Sequence, residues 1–202
     1  MCVYKILGLK KKDTKSSKIF DGIFSGKTFM DIEYGTPSEY VTKYWAEYKK
    51  CGNNDNSVNG SVFELIIYTL LYRENILPMY LQANLAFIPN VKYDLILYNE
   101  EVGPISLSLK TSLRERKKQA DLEAVALKYV HRKAKCYLIS IDAAEVSAAQ
   151  KDIKKGALLG LDCVLNATTP EFDDFIKDLK EVPFTIAGSV PVVSSNSIIK
   201  IN

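Results

Sequence analysis

An α/β fold with a central mixed β-sheet flanked by helices is the class this sequence predicts, and three patterns predict it. Residues 61–72 are apolar nearly all round, which reads as a buried helix. Three short apolar segments follow at 79–88, 93–98 and 105–110, joined by turns that allow only antiparallel pairing. A long amphipathic pattern over 113–132 then precedes a fourth strand at 136–141, and a connection of that length permits a parallel crossover.

Each element has its own signal. The turn at 74–78 ends the first helix. Residues 79–88 alternate loosely, and Asn90 supplies a turn. Tyr-Asp-Leu-Ile-Leu-Tyr at 93–98 is the second strand. Gly103 and Pro104 turn the chain into the third, where Ile105, Leu107 and Leu109 oppose Ser106, Ser108 and Lys110. The helix over 113–132 carries Leu122, Val125, Ala126 and Tyr129 on its expected inner stripe. A helix at 143–154, a strand at 161–165 and a helix at 170–180 follow. The segment before residue 60 is rich in lysine and turns, with a Tyr-rich stretch at 40–48 that reads as helix and a polar loop at 51–57. The Ser/Val-rich tail beyond 182 either pairs as strands or serves as an arm. A chain of 202 residues fits one domain. Within residues 1–202 the expected parts are an N-terminal helical and loop region at 1–59, a core at 60–181 and a tail at 182–202.

Composition excludes several classes. An apolar fraction of 47% with 25% charged residues is that of an ordinary globular protein, not a disordered, collagenous or coiled-coil chain. The longest uncharged apolar stretch, 65–72, is far short of the ~20 residues that span a bilayer. The first nine residues run into Lys10, Lys11 and Lys12 without a cleavable secretory pattern. A soluble, intracellular protein is expected. Cys2, Cys51, Cys136 and Cys163 lie far apart with no CxxC pair, so neither a structural zinc site nor a disulfide framework is expected. His131 is the one histidine; it falls at the end of a helical pattern, which weakens any triad that needs it as base.

Net charge is only +3, but its distribution is uneven. Lys110, Arg114, Arg116, Lys117 and Lys118 cluster around the start of the long helix, with Glu115 the one acid among them. Lys128, Arg132, Lys133 and Lys135 cluster at its other end. Polyanion binding depends on local rather than net charge. Solvated helix faces carry such runs too.

Four polar residues stand where apolar ones are expected. Asp94 lies one residue into an otherwise apolar strand. Lys110 ends the next strand on its polar face. Glu123 lies on the following helix, and Glu64 is the one charge in the buried helix at 61–72. A carboxylate in such surroundings costs several kcal/mol unless it is hydrogen-bonded or binds a metal. Carboxylates and a lysine at adjacent strand ends suit metal-assisted phosphodiester hydrolysis. The acids hold a divalent ion that acidifies a water, and the lysine holds the nucleophile and the developing negative charge. Each residue has a structural reading beside this one. Glu64 stands in Ser-x-x-Glu spacing from Ser61, a capping box. Asp94 follows a turn, Lys110 is a strand-end lysine, and Glu123 is a helix-surface glutamate.

The run Tyr93-Asp94, fifteen residues, Lys110, behind a Glu-bearing helix, resembles the PD-(D/E)xK nuclease superfamily. The stretch from Ser108 through Lys110, Thr111, Arg114, Arg116, Lys117 and Gln119 to Asp121 resembles segments of its type II restriction endonucleases. The resemblance covers about 60–141 and, more loosely, runs to about 180. It implies a restriction-endonuclease-like αβββαβ core, Mg²⁺-dependent cleavage of double-stranded DNA with Mn²⁺ as a substitute, and a homodimer on a palindromic site. It also implies a prokaryotic or virus-encoded cytoplasmic enzyme, with a cognate DNA methyltransferase protecting host DNA. Tyr93 stands where the family has proline, and Ser108 where it has its second acid. Some restriction enzymes share this Ser-x-Lys form and take the acid from the following helix, at about the distance of Glu123. The expected metal ligands are therefore Asp94, Glu123 and Glu64, with Asp121 a further candidate, and Lys110 completes the catalytic set.

Ser108, Thr111, Arg114, Arg116, Lys117 and Gln119 are the expected DNA contacts, with the Asn-rich loop over 53–59 a further reader of base edges or an ordinary turn. The Tyr-rich segment 40–48 and the tail over 184–201 are the material for a dimer interface. Two other functions fit the same residues: a structure-specific repair or junction nuclease, and a DNA-binding protein that has lost its catalytic site.

Overall fold

Caps and turn residues set the element boundaries. The computed structural model describes residues 2–9, 13–52, 55–187, 193–195 and 197–200. In chain order the helices and strands are α1 (Val3–Ile6), α2 (Lys15–Gly22), α3 (Pro37–Lys50), α4 (Asn56–Arg73), β1 (Met79–Leu85), β2 (Tyr93–Asn99), β3 (Gly103–Leu109), α5 (Arg116–Val130), β4 (Lys135–Ser140), α6 (Ala143–Lys154), β5 (Cys163–Asn166), α7 (Pro170–Lys180), β6 (Val193–Ser194) and β7 (Ser197–Ile199). From α4 to β4 the order is the expected αβββαβ. No helix among the described residues is long and apolar enough to cross a membrane.

The chain divides into two compact units: Met1–Ile76 with Ala167–Glu181, and Leu77–Asn166 with Val182–Asn202. The first is helical. Thr36 and Glu39 form a capping box that starts α3, with Pro37 in its first turn. Tyr40, Tyr44 and Tyr48 of α3 are buried. Tyr40 shares a hydrogen bond with Thr69 at 2.9 Å, and Tyr48 donates to Asn59 at 2.6 Å, both partners on α4. Three tyrosines of the Tyr-rich segment are thus consumed in helix packing. Asp55 caps α4 by accepting from Ser57 and Val58. The helix therefore begins five residues before Ser61, and the Ser61–Glu64 spacing is mid-helix rather than a capping box. Residues 56–59 of the Asn-rich loop are helical for the same reason, and Asn53 and Asn54 lie outside the described residues.

The second unit holds the sheet, ordered β5-β4-β3-β2-β1-β6, with β7 also pairing β1. β1, β2 and β3 form an antiparallel meander, with Leu95 opposite Leu107. β3, β4 and β5 run parallel, as a helix-length crossover allows. The described part of the tail pairs with β1 and so completes this sheet rather than forming a free arm; residues 188–192, 196, 201 and 202 lie outside the described residues.

α5 and α6 pack on the sheet through one apolar cluster that includes Tyr80, Ile96, Ala120, Ala124, Leu127, Cys136, Leu138, Val146 and Val164. Here the expected inner stripe of α5 is overturned at three of its four positions; only Ala126 is half-buried against the cluster. Ala120, Asp121, Ala124 and Leu127 face inward, while Leu122, Val125 and Tyr129 are exposed. The inner face is the one that packs against the sheet, where Ala120, Ala124 and Leu127 join the cluster with Cys136 and Leu138. The 159–161 backbone also lies close to α5: a Cβ at Gly160 would sit 2.4 Å from the Val125 nitrogen and 2.5 Å from the Asp121 oxygen.

Candidate active site

Antiparallel pairing brings the start of β2 beside the end of β3. Asp94, the second residue of β2, thereby meets Lys110, the first residue beyond β3, whose backbone nitrogen still bonds to Ile139 of β4 at 3.0 Å. The Lys110 ammonium lies 2.6 Å from Asp94 Oδ2, and the same oxygen accepts the Leu109 N–H at 2.8 Å. The two side chains are only 13% and 11% exposed. Water is nearly excluded, so this ion pair is screened far less than a surface pair.

Glu123, on α5, lies near enough for both charges to act on it. Burial pushes its carboxyl above the usual carboxylate range; a hydrogen bond from Gln119 and the Lys110 charge pull it down, and Asp94 pushes it up. Gln119 Nε2 donates to Glu123 Oε1 at 2.8 Å. The Tyr93 hydroxyl, beside Asp94 in sequence, donates to the Glu123 carbonyl at 3.0 Å and so fixes this turn of α5 against the strand. Ser108 Oγ is buried without a hydrogen-bond partner among the described residues, an arrangement that proteins usually avoid. Asp94, Lys110 and Glu123 are therefore brought together. Glu64 is half-buried on α4 in the helical unit, where Tyr68 lies 3.4 Å from its Oε2. Asp121 is spent otherwise: its two oxygens accept the N–H groups of Leu159, Gly160 and Leu161 at 2.7 to 3.1 Å.

The expected DNA contacts differ in freedom. The Arg116 side chain is exposed and makes no hydrogen bond or ion pair among the described residues. Arg114 is exposed, its nitrogen 3.5 Å from Glu145. Lys117 is tied to Asp152 at 2.5 Å, and Gln119 is committed to Glu123. Thr111 is half-buried after the β3 end. One residue that sequence reasoning passed over is Glu145. It accepts from Ser112 Oγ and from the Leu113 backbone N–H, and so fixes the loop after Lys110. That loop delays the start of α5 from the expected 113 to Arg116. The signal was present: Asp142-x-x-Glu145 sits at the start of the predicted helix at 143–154, where Asp142 accepts from the Glu145 N–H as its N-cap.

The antiparallel meander, the helix-length crossover and the parallel strands match a restriction-endonuclease-like fold. The chain is similar to the solved structure of the restriction endonuclease PspGI in complex with substrate DNA, at 15% identity and a TM-score of 0.56, over 88% of each chain. No family model matches the sequence. No curated protein matches it either.

Proposed function

We propose that this chain is a type II restriction endonuclease: an Mg²⁺-dependent, cytoplasmic enzyme that hydrolyses both strands of double-stranded DNA at a specific sequence as a homodimer, beside a methyltransferase that protects host DNA. The observation that carries the reading is the nearly dry Asp94–Lys110 pair at 2.6 Å, with the Glu123 carboxyl in its field.

The donor chemistry fits a hard divalent cation. No group of three or more His, Cys, Asp or Glu side chains is gathered for a metal among the described residues. Mg²⁺, however, is commonly held through one or two carboxylates, with waters and substrate phosphate completing its shell. Asp94 and Glu123 would hold it, and the Ser108 hydroxyl, without a hydrogen-bond partner among the described residues, fits a bound water. The bound cation supplies polarisation of the scissile phosphate and acidification of water. Lys110 supplies positive charge where the phosphorane develops negative charge, and Asp94 holds that ammonium in place. Gln119 and Tyr93 fix the Glu123 side chain and main chain.

Digestion of plasmid DNA tests the reading. Discrete bands with Mg²⁺ or Mn²⁺ are expected, none with chelator, and binding without cutting in Ca²⁺, whose looser geometry suits water activation poorly. Full cutting in excess chelator rejects the metal. A second reading, a DNA-binding protein that no longer cleaves, is favoured by Ser108 in place of an acid; binding without cutting in every metal would select it. Nicks at distorted DNA alone would select a structure-specific nuclease.

Arg116 is expected to contact phosphate. Arg116→Ala should lower the slope of log K against log salt by about one, with affinity lost equally across sequences. Titrations of duplex binding at several salt concentrations check this, and an unchanged slope would turn Arg116 away from the DNA.

A further inference from the structure

The loop that joins β1 to β2 carries Phe87, 86% exposed. A single apolar side chain at a surface is ordinary. Its backbone is not: φ is +65°, and Phe87 is the one apolar residue with positive φ among the described residues. A bulky side chain crowds its own backbone there, so such positions usually fall to glycine, asparagine or aspartate. Asn90 of the same loop, at +62°, is of that kind. The loop is anchored on both sides of the ring. Leu85, Ile88 and Tyr93 are buried in the cluster shared with α5 and α6, and Val91 packs against it. The Ile88 N–H donates to the Leu85 carbonyl at 3.3 Å. The core thus holds the loop in the conformation that turns Phe87 out, and a strained phenylalanine stands where glycine would sit without strain.

We propose that Phe87 is an apolar wedge that enters duplex DNA and stacks on its bases, with Lys92 on a neighbouring phosphate. The inference rests on the nuclease reading, which sets where the duplex lies. Ala83 pairs with Tyr93, so the loop opens at the end of the sheet where Asp94 meets Lys110. A duplex with its phosphate at that pair runs beside the loop. Lys92 is exposed and is the one charged residue over 79–93, so no acid on the loop repels a phosphate. Ring, amide and cation on one short loop are nucleic-acid chemistry. Aromatic rings stack on base faces whatever the sequence, apolar wedges part base steps, and lysine neutralises phosphate. A second copy or another protein would use the ring but has no call on the lone cation.

The test is Phe87→Trp with sheared genomic duplex DNA in Ca²⁺. The wild type, whose one tryptophan is Trp45, gives the background. DNA is expected to quench the emission of Phe87→Trp beyond any change in the wild type. Phe87→Gly should melt at the wild-type temperature or above, yet bind the same DNA about tenfold more weakly, the low end for a lost base–aromatic stack. Its slope of log K against log salt should stay unchanged, because no charge is removed, whereas Lys92→Ala should lower that slope by about one. Unquenched emission from DNA-bound Phe87→Trp overturns the proposal. So does Phe87→Gly that binds with wild-type affinity, and its sedimentation then shows whether a second copy covers the ring instead. Phe87→Gly that melts well below the wild type overturns it too, by making the ring a structural one. Plasmid digestion separates this from the nuclease reading. Quenching at position 87 by a protein that cuts in no metal supports the wedge and rejects the nuclease. Discrete cutting by Phe87→Gly at wild-type affinity does the reverse, and a wild type that binds no duplex rejects both.

Discussion

Lys110→Met is expected to reduce cleavage of both strands by about 10³-fold, the scale of loss when one electrostatic stabiliser of a developing oxyanion is removed. Asp94→Asn should do at least as much, because it removes the carboxylate that holds Lys110 and is the proposed first ligand of the cation. The pair is 11 to 13% exposed, so either single substitution also strands a charge with little water around it. Breaking a buried pair costs about 3–5 kcal/mol, and lost folding could then imitate lost catalysis. The double variant Asp94→Asn/Lys110→Met separates the two effects. With both charges gone it should melt closer to wild type than either single variant, yet cut no DNA. Plasmid cleavage beside thermal melts of the three proteins is the measurement. A folded Lys110→Met protein cutting at near wild-type rate would falsify the assignment. Glu123→Gln should also cut poorly, and a raised Mg²⁺ requirement relative to wild type would mark Glu123 as the second ligand.

The Asp94–Lys110 pair was legible because period-two alternation places residues on strand faces. Ser106, Ser108 and Lys110 alternate with Ile105, Leu107 and Leu109, and short turns force the antiparallel neighbour that carries Asp94. The helices α6 and α7 were legible to the residue, because Asp142 and Thr169-Pro170 mark their starts. The facing of α5 was not. Hydropathy favours the face bearing Leu122, Val125 and Tyr129, whereas the real inner face is set by packing of Ala120, Ala124 and Leu127 against the strands, a long-range fact with no local signal. Nor could spacing reveal that Lys117 would be drawn to Asp152, or that Asp121 would be occupied by backbone N–H groups. These partners lie 35 to 40 residues away in sequence.

A small change at the Asp121–Gly160 clamp should also have a large effect on folding. A Cβ at Gly160 would stand 2.4 Å from the Val125 nitrogen, 2.5 Å from the Asp121 oxygen and 2.9 Å from the Ala124 carbonyl carbon. All three are backbone atoms of α5, so no side-chain rotation relieves the contact and the helix or the loop must move. Gly160→Ala is therefore expected to cost about 3 kcal/mol, the upper end for overpacking. Asp121→Ala should cost a similar amount by a different route. It orphans three N–H groups, of which those of Gly160 and Leu161 are buried, and each such loss costs about 1–3 kcal/mol. Both changes shift the helix that carries Glu123, so cleavage should fall along with stability. Asp121→Asn keeps one acceptor oxygen and should be intermediate in both. Urea denaturation of the three variants, paired with plasmid cleavage at saturating Mg²⁺, tests the clamp. If Asp121→Ala unfolds at the wild-type urea concentration but needs far more Mg²⁺ to cut, Asp121 is a metal ligand and the clamp is not its role.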